Sequence, residues 1–269
     1  MKNIKLLILL LLLILPSAMQ AQTHKNLRVV FISASNEYVS HITLKAYKKY
    51  LEKTYPGIRI TILQGNGPVN DKDEYTNLDG TDALKNCDVL LVFARRTGFS
   101  GKAIDDLKAY VQANKPIVAL RTASHGFQAW PEFDKEVLGG NYIGHYYGEP
   151  EKRVMGADSM RYVVGEPFGP VQTVTVNNKM KQHPVLKGVH NFKSKYSLYQ
   201  TSPIAADASL LLSGTTKDGT EPLAWARTNH GERVVYIALG GVQDWAEPNF
   251  RTLVTNALFW AAAGNTKHK

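Results

Sequence analysis

Four short apolar runs, set apart by helix-like and polar stretches, fix the architecture of this chain. "LRVVFISA" (Leu27–Ala34) is apolar and rich in β-branched residues, the pattern of a strand covered on both faces. "IRITIL" (Ile58–Leu63), "DVLLVFA" (Asp88–Ala94) and "IVAL" (Ile117–Leu120) read the same way. Between the first two, Ile42, Leu44, Ala46, Tyr47, Tyr50 and Leu51 recur at helical spacing over residues 40–54, and Pro56-Gly57 stops the helix. Residues 64–79, rich in Gly, Asn and Asp, read as a long polar loop. Ser100 is placed to cap a helix running to about Ala113, with Ile104, Leu107 and Val111 on one face. Strands joined by helical crossovers form a parallel sheet covered on both sides, and such sheets gather ligands at the carboxyl ends of their strands. The segments to watch are therefore "SASNEYVSH", "RRTGFS" and "RTASHGF", which follow the first, third and fourth runs.

The second half adds "GPVQTVTVNN", "ASLLLSGTT", "EPLAWART" and "ERVVYIALG" as strands and a closing helix from Pro248 to about Ala263. No repeat or linker interrupts the chain, so one domain over residues 22–269 is expected.

The amino terminus reads differently. Lys2 and Lys5 precede the unbroken apolar run Leu6–Leu15, and Pro16, Ser17, Ala18 and Ala21 follow. A charged start, a short apolar core and small residues spell a secretory signal peptide over residues 1–21, with cleavage near Ala21. The run is too short to span a membrane, which takes about 20 apolar residues. The expected product is periplasmic or secreted, with no stable membrane anchor.

The formal charge of +9 comes from scattered lysines rather than a basic stripe with interleaved aromatics, so nucleic acid is not an expected partner. Cys87 is the single cysteine, which excludes a disulfide within the chain. It opens an apolar strand without a basic neighbour and reads as a small buried residue, not a nucleophile.

Several stretches, taken in order, resemble the ThuA-like family, named for a trehalose-utilisation protein. They are "NEY" (36–38), "FARR" (93–96), "VALRTASHGF" (118–127), "LGGNYIGHY" (138–146), "HPVLKGV" (183–189) and "RVVYIALGGVQDWAEPNFRTLVTNALFWAAAG" (233–264). The resemblance covers nearly all of the chain after residue 21. It implies a flavodoxin-like fold akin to class I glutamine amidotransferases, a three-layer α/β sandwich with a mainly parallel central sheet. It also implies a role in carbohydrate metabolism and a small-molecule carbohydrate ligand.

Three positions depart from the patterns of these relatives. Arg121 stands where the amidotransferases carry a nucleophilic cysteine and many ThuA-like proteins a histidine. Gly241 ends "LGG" where the family often reads "LGH", and Ser197 replaces an acidic residue before "LY". Without a thiolate at position 121, amidotransferase chemistry is not expected.

Glu37, Arg121, His125 and His183 are the candidate catalytic residues. Glu37 is placed to act as a base or to grip hydroxyls, and Arg121 to pair with Glu37 and hold a carbonyl or developing oxyanion. The histidines are placed to move protons. Tyr38, Arg95, Arg96, His145, Tyr199 and Asp244 are candidates for substrate binding. Arg95 and Arg96 are consecutive, so only one can face a cleft. No closely spaced histidine pair marks a metal site; no cofactor is required by the sequence, and a divalent metal is left open. So is assembly into a homo-oligomer. The expected activity is isomerase, lyase or hydrolase chemistry on a keto-sugar or glycoside, with a non-catalytic sugar-binding module as the alternative.

Overall fold

The computed structural model describes residues 26–69, 74–146, 154–156, 159–161 and 169–264. The predicted signal peptide lies outside the described residues. In chain order the elements are β1 (Leu27–Ala34), α1 (Ser40–Thr54), β2 (Ile58–Val69), β3 (Tyr75–Leu78), β4 (Val89–Ala94), α2 (Lys102–Gln112) and β5 (Ile117–Leu120). The short strands β6 (Gly144–His145), β7 (Val154–Gly156) and β8 (Ser159–Arg161) follow. Next come β9 (Gln172–Val176), β10 (Phe192–Ser194), β11 (Tyr199–Gln200), β12 (Ser209–Thr216), β13 (Gly219–Asn229), β14 (Glu232–Ile237) and α3 (Pro248–Gly264).

Ten strands form one sheet in the order β10-β9-β12-β13-β14-β5-β4-β1-β2-β3. The four runs singled out in the sequence form the parallel block β2-β1-β4-β5, and β14 extends it in parallel beside β5. The remaining pairings, β14-β13-β12-β9-β10 and β2-β3, are antiparallel. The sheet is thus mixed, not mainly parallel as expected. The physical reason lies in the second half: β12, β13 and β14 follow one another through tight hairpin turns, which impose antiparallel pairing, and no α-helical crossover links them.

In the stretch expected to be a polar loop, 64–79, most of the described residues are strand instead. Strand β2 continues through Gly65-Asn66-Gly67 to Val69 and folds back on β3. Those residues sit on an exposed edge, where polarity does not argue against a strand. Ser100 does not cap α2; Gly101 precedes its first residue, with no side-chain cap.

The crossovers from β1 to β2 and from β4 to β5 run in opposite directions across the sheet, so two right-handed connections place α1 and α2 on opposite faces. Helix α3 shares the face of α1, where the Tyr47 and Thr255 hydroxyls meet at 2.8 Å. Strand order reverses between β1 and β4, which opens a crevice at their carboxyl ends. Cys87 is buried as expected, and burial pushes its thiol up to about 11, away from nucleophilic chemistry at neutral pH.

Candidate active site

Three strand ends of the parallel block turn through the left-handed backbone region at residues other than glycine: Val39 (φ 43°) after β1, Arg96 (φ 42°) after β4 and Arg121 (φ 39°) after β5. Such strain persists only where the surroundings hold it, and it collects at functional sites. The surroundings here are specific. The Tyr236 hydroxyl donates to the Arg121 carbonyl at 2.6 Å, and the Ser124 hydroxyl does so at 3.2 Å. Arg96 N–H donates to the His125 carbonyl at 2.8 Å, and the Gln128 amide donates to the Arg96 carbonyl at 2.9 Å. The ends of β4 and β5 are thereby fastened to one another.

Arg121 keeps a sharp strand-to-turn elbow of the kind that presents nucleophiles in other α/β enzymes, but its side chain turns inward and is 0% exposed. The guanidinium donates to the Ala238 carbonyl at 2.9 Å and to the carbonyl and hydroxyl of Ser197 at 3.2 and 3.3 Å. Tyr199, Tyr38 and Tyr196 enclose it, with ring centroids at 4.2, 4.9 and 5.5 Å. The expected pair with Glu37 does not form, because Glu37 is taken by another arginine. So enclosed, Arg121 is placed to position Tyr199 and not to touch a substrate. Tyr38 likewise belongs to this packing, stacked on Phe93.

Arg95 is the partner of Glu37. It is the inward-facing member of its pair, whereas Arg96 is exposed. Arg95 Nε makes an ion pair with Glu37, and its Nη1 donates to Glu74 at 3.1 Å. Glu74 also accepts the Asn36 backbone N–H at 3.2 Å. Two buried carboxylates thus share one arginine at the β1–β4 crevice. Burial pushes Glu74 up to about 7, against the pull of Arg95, with the charge of Glu37 adding to the rise.

His125, Tyr142, His145 and Tyr199 form an aromatic wall beside this cluster. The His125 ring stacks on Tyr142 with centroids 4.4 Å apart, and Tyr142 leans on Tyr199 at 4.7 Å. His145 reaches Tyr199 through the β6–β11 pairing, with rings 6.0 Å apart. His125 Nδ1 lies 3.1 Å from the Ser124 hydroxyl. Burial, then the charges of Arg96, Arg95 and Arg121, hold His125 well below the usual histidine range, so it is neutral at neutral pH. His145 is lowered as well, by burial and Arg121.

A cavity of about 400 Å³ opens in front of this wall, within the size range of small-molecule sites. Arg96, Ser124, His125, Gln128, Asp134 and Tyr142 are among its lining residues. Among the described residues, no group of three or more His, Cys, Asp or Glu side chains is arranged to hold a metal ion.

Two predicted residues fall elsewhere. His183 accepts the Val185 N–H at 3.3 Å and packs on Trp260 at 4.9 Å, beside Arg233. Arg233 precedes Val234, which pairs with the first residue of β5, so His183 sits at the amino-terminal edge of the strands, away from the wall. Its Pro184 starts a short 3-10 turn packed on α3, which gives the motif a structural role. Asp244 is buried, and its carboxylate accepts the N–H groups of Gly240 and Gly241 at 3.0 and 2.9 Å. It fastens the loop behind Arg121 and does not face the cavity wall. Glu74 and Asp134 were not legible as site residues in the sequence. The one available sign for Asp134 was Gly140 in "LGGNY": a Cβ there would come 2.4 Å from Asp134 Oδ1.

Comparison with known proteins agrees with this architecture. A ThuA-like protein from Parabacteroides merdae superposes with a TM-score of 0.64 at 16% identity, covering 91% of this chain and 93% of that one. A ThuA-like protein from Bacteroides uniformis gives 0.60 at 18%, covering 88% and 91%. A protein from Salmonella typhimurium described as cytoplasmic gives 0.52 at 11%, covering 90% and 100%. At such identities the likeness is one of fold. No curated protein matches the chain in sequence. The trehalose-utilisation family ThuA matches residues 28–261, nearly the whole of the described chain, and the protein belongs to that family.

Proposed function

We propose that this protein is an exported enzyme of carbohydrate metabolism that acts on a sugar derivative, a keto-sugar or glycoside, by general acid/base chemistry. The observation that carries the reading is His125: a neutral imidazole on the rim of a polar cavity, stacked on Tyr142 and oriented by Ser124. The imidazole is in the form that can take the proton of an acidic C–H beside a carbonyl, while the burial and arginine charges that keep it neutral also lower its basicity. Arg96, which lines the cavity, supplies positive potential for the oxyanion that develops. Tyr142 offers a face to the apolar C–H side of a sugar ring, and Gln128 and Asn141 offer hydrogen bonds to hydroxyls. Glu37, committed to Arg95, shapes the site's electrostatics. Arg121 holds Tyr199 in place behind the wall.

The test is a screen of the purified protein against oxidised and unoxidised disaccharides, with product analysis with and without a chelator. Turnover of an oxidised substrate is expected. Binding without turnover across the set would replace the enzyme reading by a sugar-binding module. Export rests on the amino-terminal pattern, and intact-mass measurement of the protein recovered outside the cytoplasm should find a start after Ala21; an intact Met1 would contradict it.

A further inference from the structure

The cavity holds a second titratable group that the mechanism above does not use. Asp134 is 7% exposed and lines the cavity with His125 and Tyr142. Its Oδ2 accepts the Tyr142 N–H at 2.8 Å, while its buried Oδ1 has no hydrogen-bond partner among the described residues. A buried polar atom left unpaired calls for an explanation, because folding rarely leaves one. An ionised carboxylate with one donor would be costly here, whereas a carboxyl that carries a proton and meets a ligand oxygen would not. Burial pushes Asp134 up to about 6, against the Tyr142 N–H, so both forms are accessible near neutrality.

The local backbone is shaped around this carboxyl. Gly140 N–H donates to the Asp134 carbonyl at 3.0 Å, wrapping the following loop over the side chain. A Cβ at Gly140 would overlap Oδ1, so glycine is the residue that leaves room for it. Around the carboxyl, Ser124, Gln128 and Asn141 provide neutral hydrogen-bonding groups, Tyr142 and Phe127 provide ring surfaces, and Arg96, Lys135 and His125 are the other titratable groups of the lining. That combination matches a polyhydroxylated ring, with polar edges and apolar faces.

We propose that Asp134 is a catalytic carboxyl of this cavity, exchanging a proton with an oxygen of a polyhydroxylated ring substrate while His125 serves the neighbouring carbon. The proposal rests on the carbohydrate reading for its substrate class, and on Asp134 alone for the group.

A cyclitol epoxide tests both parts without knowledge of the natural substrate. An Asp134 carboxylate oxygen would form an ester bond to an epoxide carbon. The epoxide C–O bond breaks with its electron pair going to oxygen, which takes a proton from water, so the protein gains the full mass of the reagent. Peptide mapping of the intact wild-type protein is expected to find the adduct on Asp134, formed faster as pH rises through about 6. Labelling should be at least about tenfold faster than with a simple alkyl epoxide, the equivalent of roughly 1.4 kcal/mol of recognition. Asp134→Asn should lose the adduct while keeping the Tyr142 N–H contact. An adduct on Asp134 with no preference for the cyclitol would uphold the carboxyl and overturn the carbohydrate class. No adduct on Asp134 in folded wild-type protein would overturn the proposal whether or not the asparagine variant folds.

Discussion

Arg121 Nη2 lies 3.2 Å from the carbonyl of Ser197 and 3.3 Å from its hydroxyl. These are two of the three positions singled out in the sequence as expected departures from the family pattern. The third, Gly241, adjoins the same cluster: a Cβ there would come within 2.0 Å of the Tyr196 ring, which itself lies against Arg121. The three positions form one cluster. An arginine fills the elbow, a serine accepts from it, and a glycine admits the tyrosine that covers it. Arg121→Met should therefore destabilise the fold by about 1–3 kcal/mol for each buried acceptor left unpaired. Ser197→Ala, which spares the carbonyl contact, should cost only about 1 kcal/mol. Thermal melts check this, at roughly 2–4 °C per kcal/mol for a chain of this size. Equal losses would mean that the serine hydroxyl, not the backbone, is the main partner.

Glu37 and Arg95 are both buried, at 7% and 6% side-chain exposure, so Glu37→Gln is a stability variant as well as a probe of the site. Arg95 retains Glu74, which limits the loss to about 1–3 kcal/mol. Turnover of an oxidised disaccharide should fall less than in His125→Ala. A larger fall in the glutamine variant, with an unchanged melting temperature, would restore Glu37 as the base.

Glu74 gives the fold a pH dependence of definite sign. Its folded pKa, about 7, lies above its ordinary 4.5. Below the ordinary value both folded and unfolded chains are protonated. As pH rises the unfolded chain ionises first, and stability is lost until the folded carboxyl also ionises near pH 7. Glu74→Gln lacks this loss. Its melting temperature relative to wild type should be more favourable at pH 8 than at pH 5. The opposite trend would show that Arg95 overrides burial and holds Glu74 ionised.

The parallel block was legible because its strands are apolar on both faces, which leaves little ambiguity in runs such as Val89–Ala94. The strand ends that meet at the candidate site were legible too, since Glu37, Arg95, Arg96 and His125 lie in the turns that follow the first, third and fourth runs. Partner choice did not follow. Both Arg95 and Arg121 turn inward, and which of them takes Glu37 depends on their tertiary partners: Arg121 is held by Ala238 and Ser197, which leaves Glu37 to Arg95. Asp134 and Glu74 lie in stretches whose composition is ordinary for surface, and only burial of their carboxyls distinguishes them. His183 shows the converse: a motif histidine whose place is fixed by Pro184 and Trp260 at the far edge of the sheet.

The central claim is that a neutral His125 takes a proton from carbon beside a sugar carbonyl. The direct measurement is proton NMR of a keto-disaccharide incubated in D2O with wild-type protein and with His125→Ala. Wild type should replace the C–H proton next to the carbonyl with deuterium, or form product through that position, and the variant should slow this at least about 100-fold, the lower end for loss of an acid–base group. Retention of that proton with wild-type protein while the glycosidic bond is cleaved, or equal exchange by both proteins, would contradict the account.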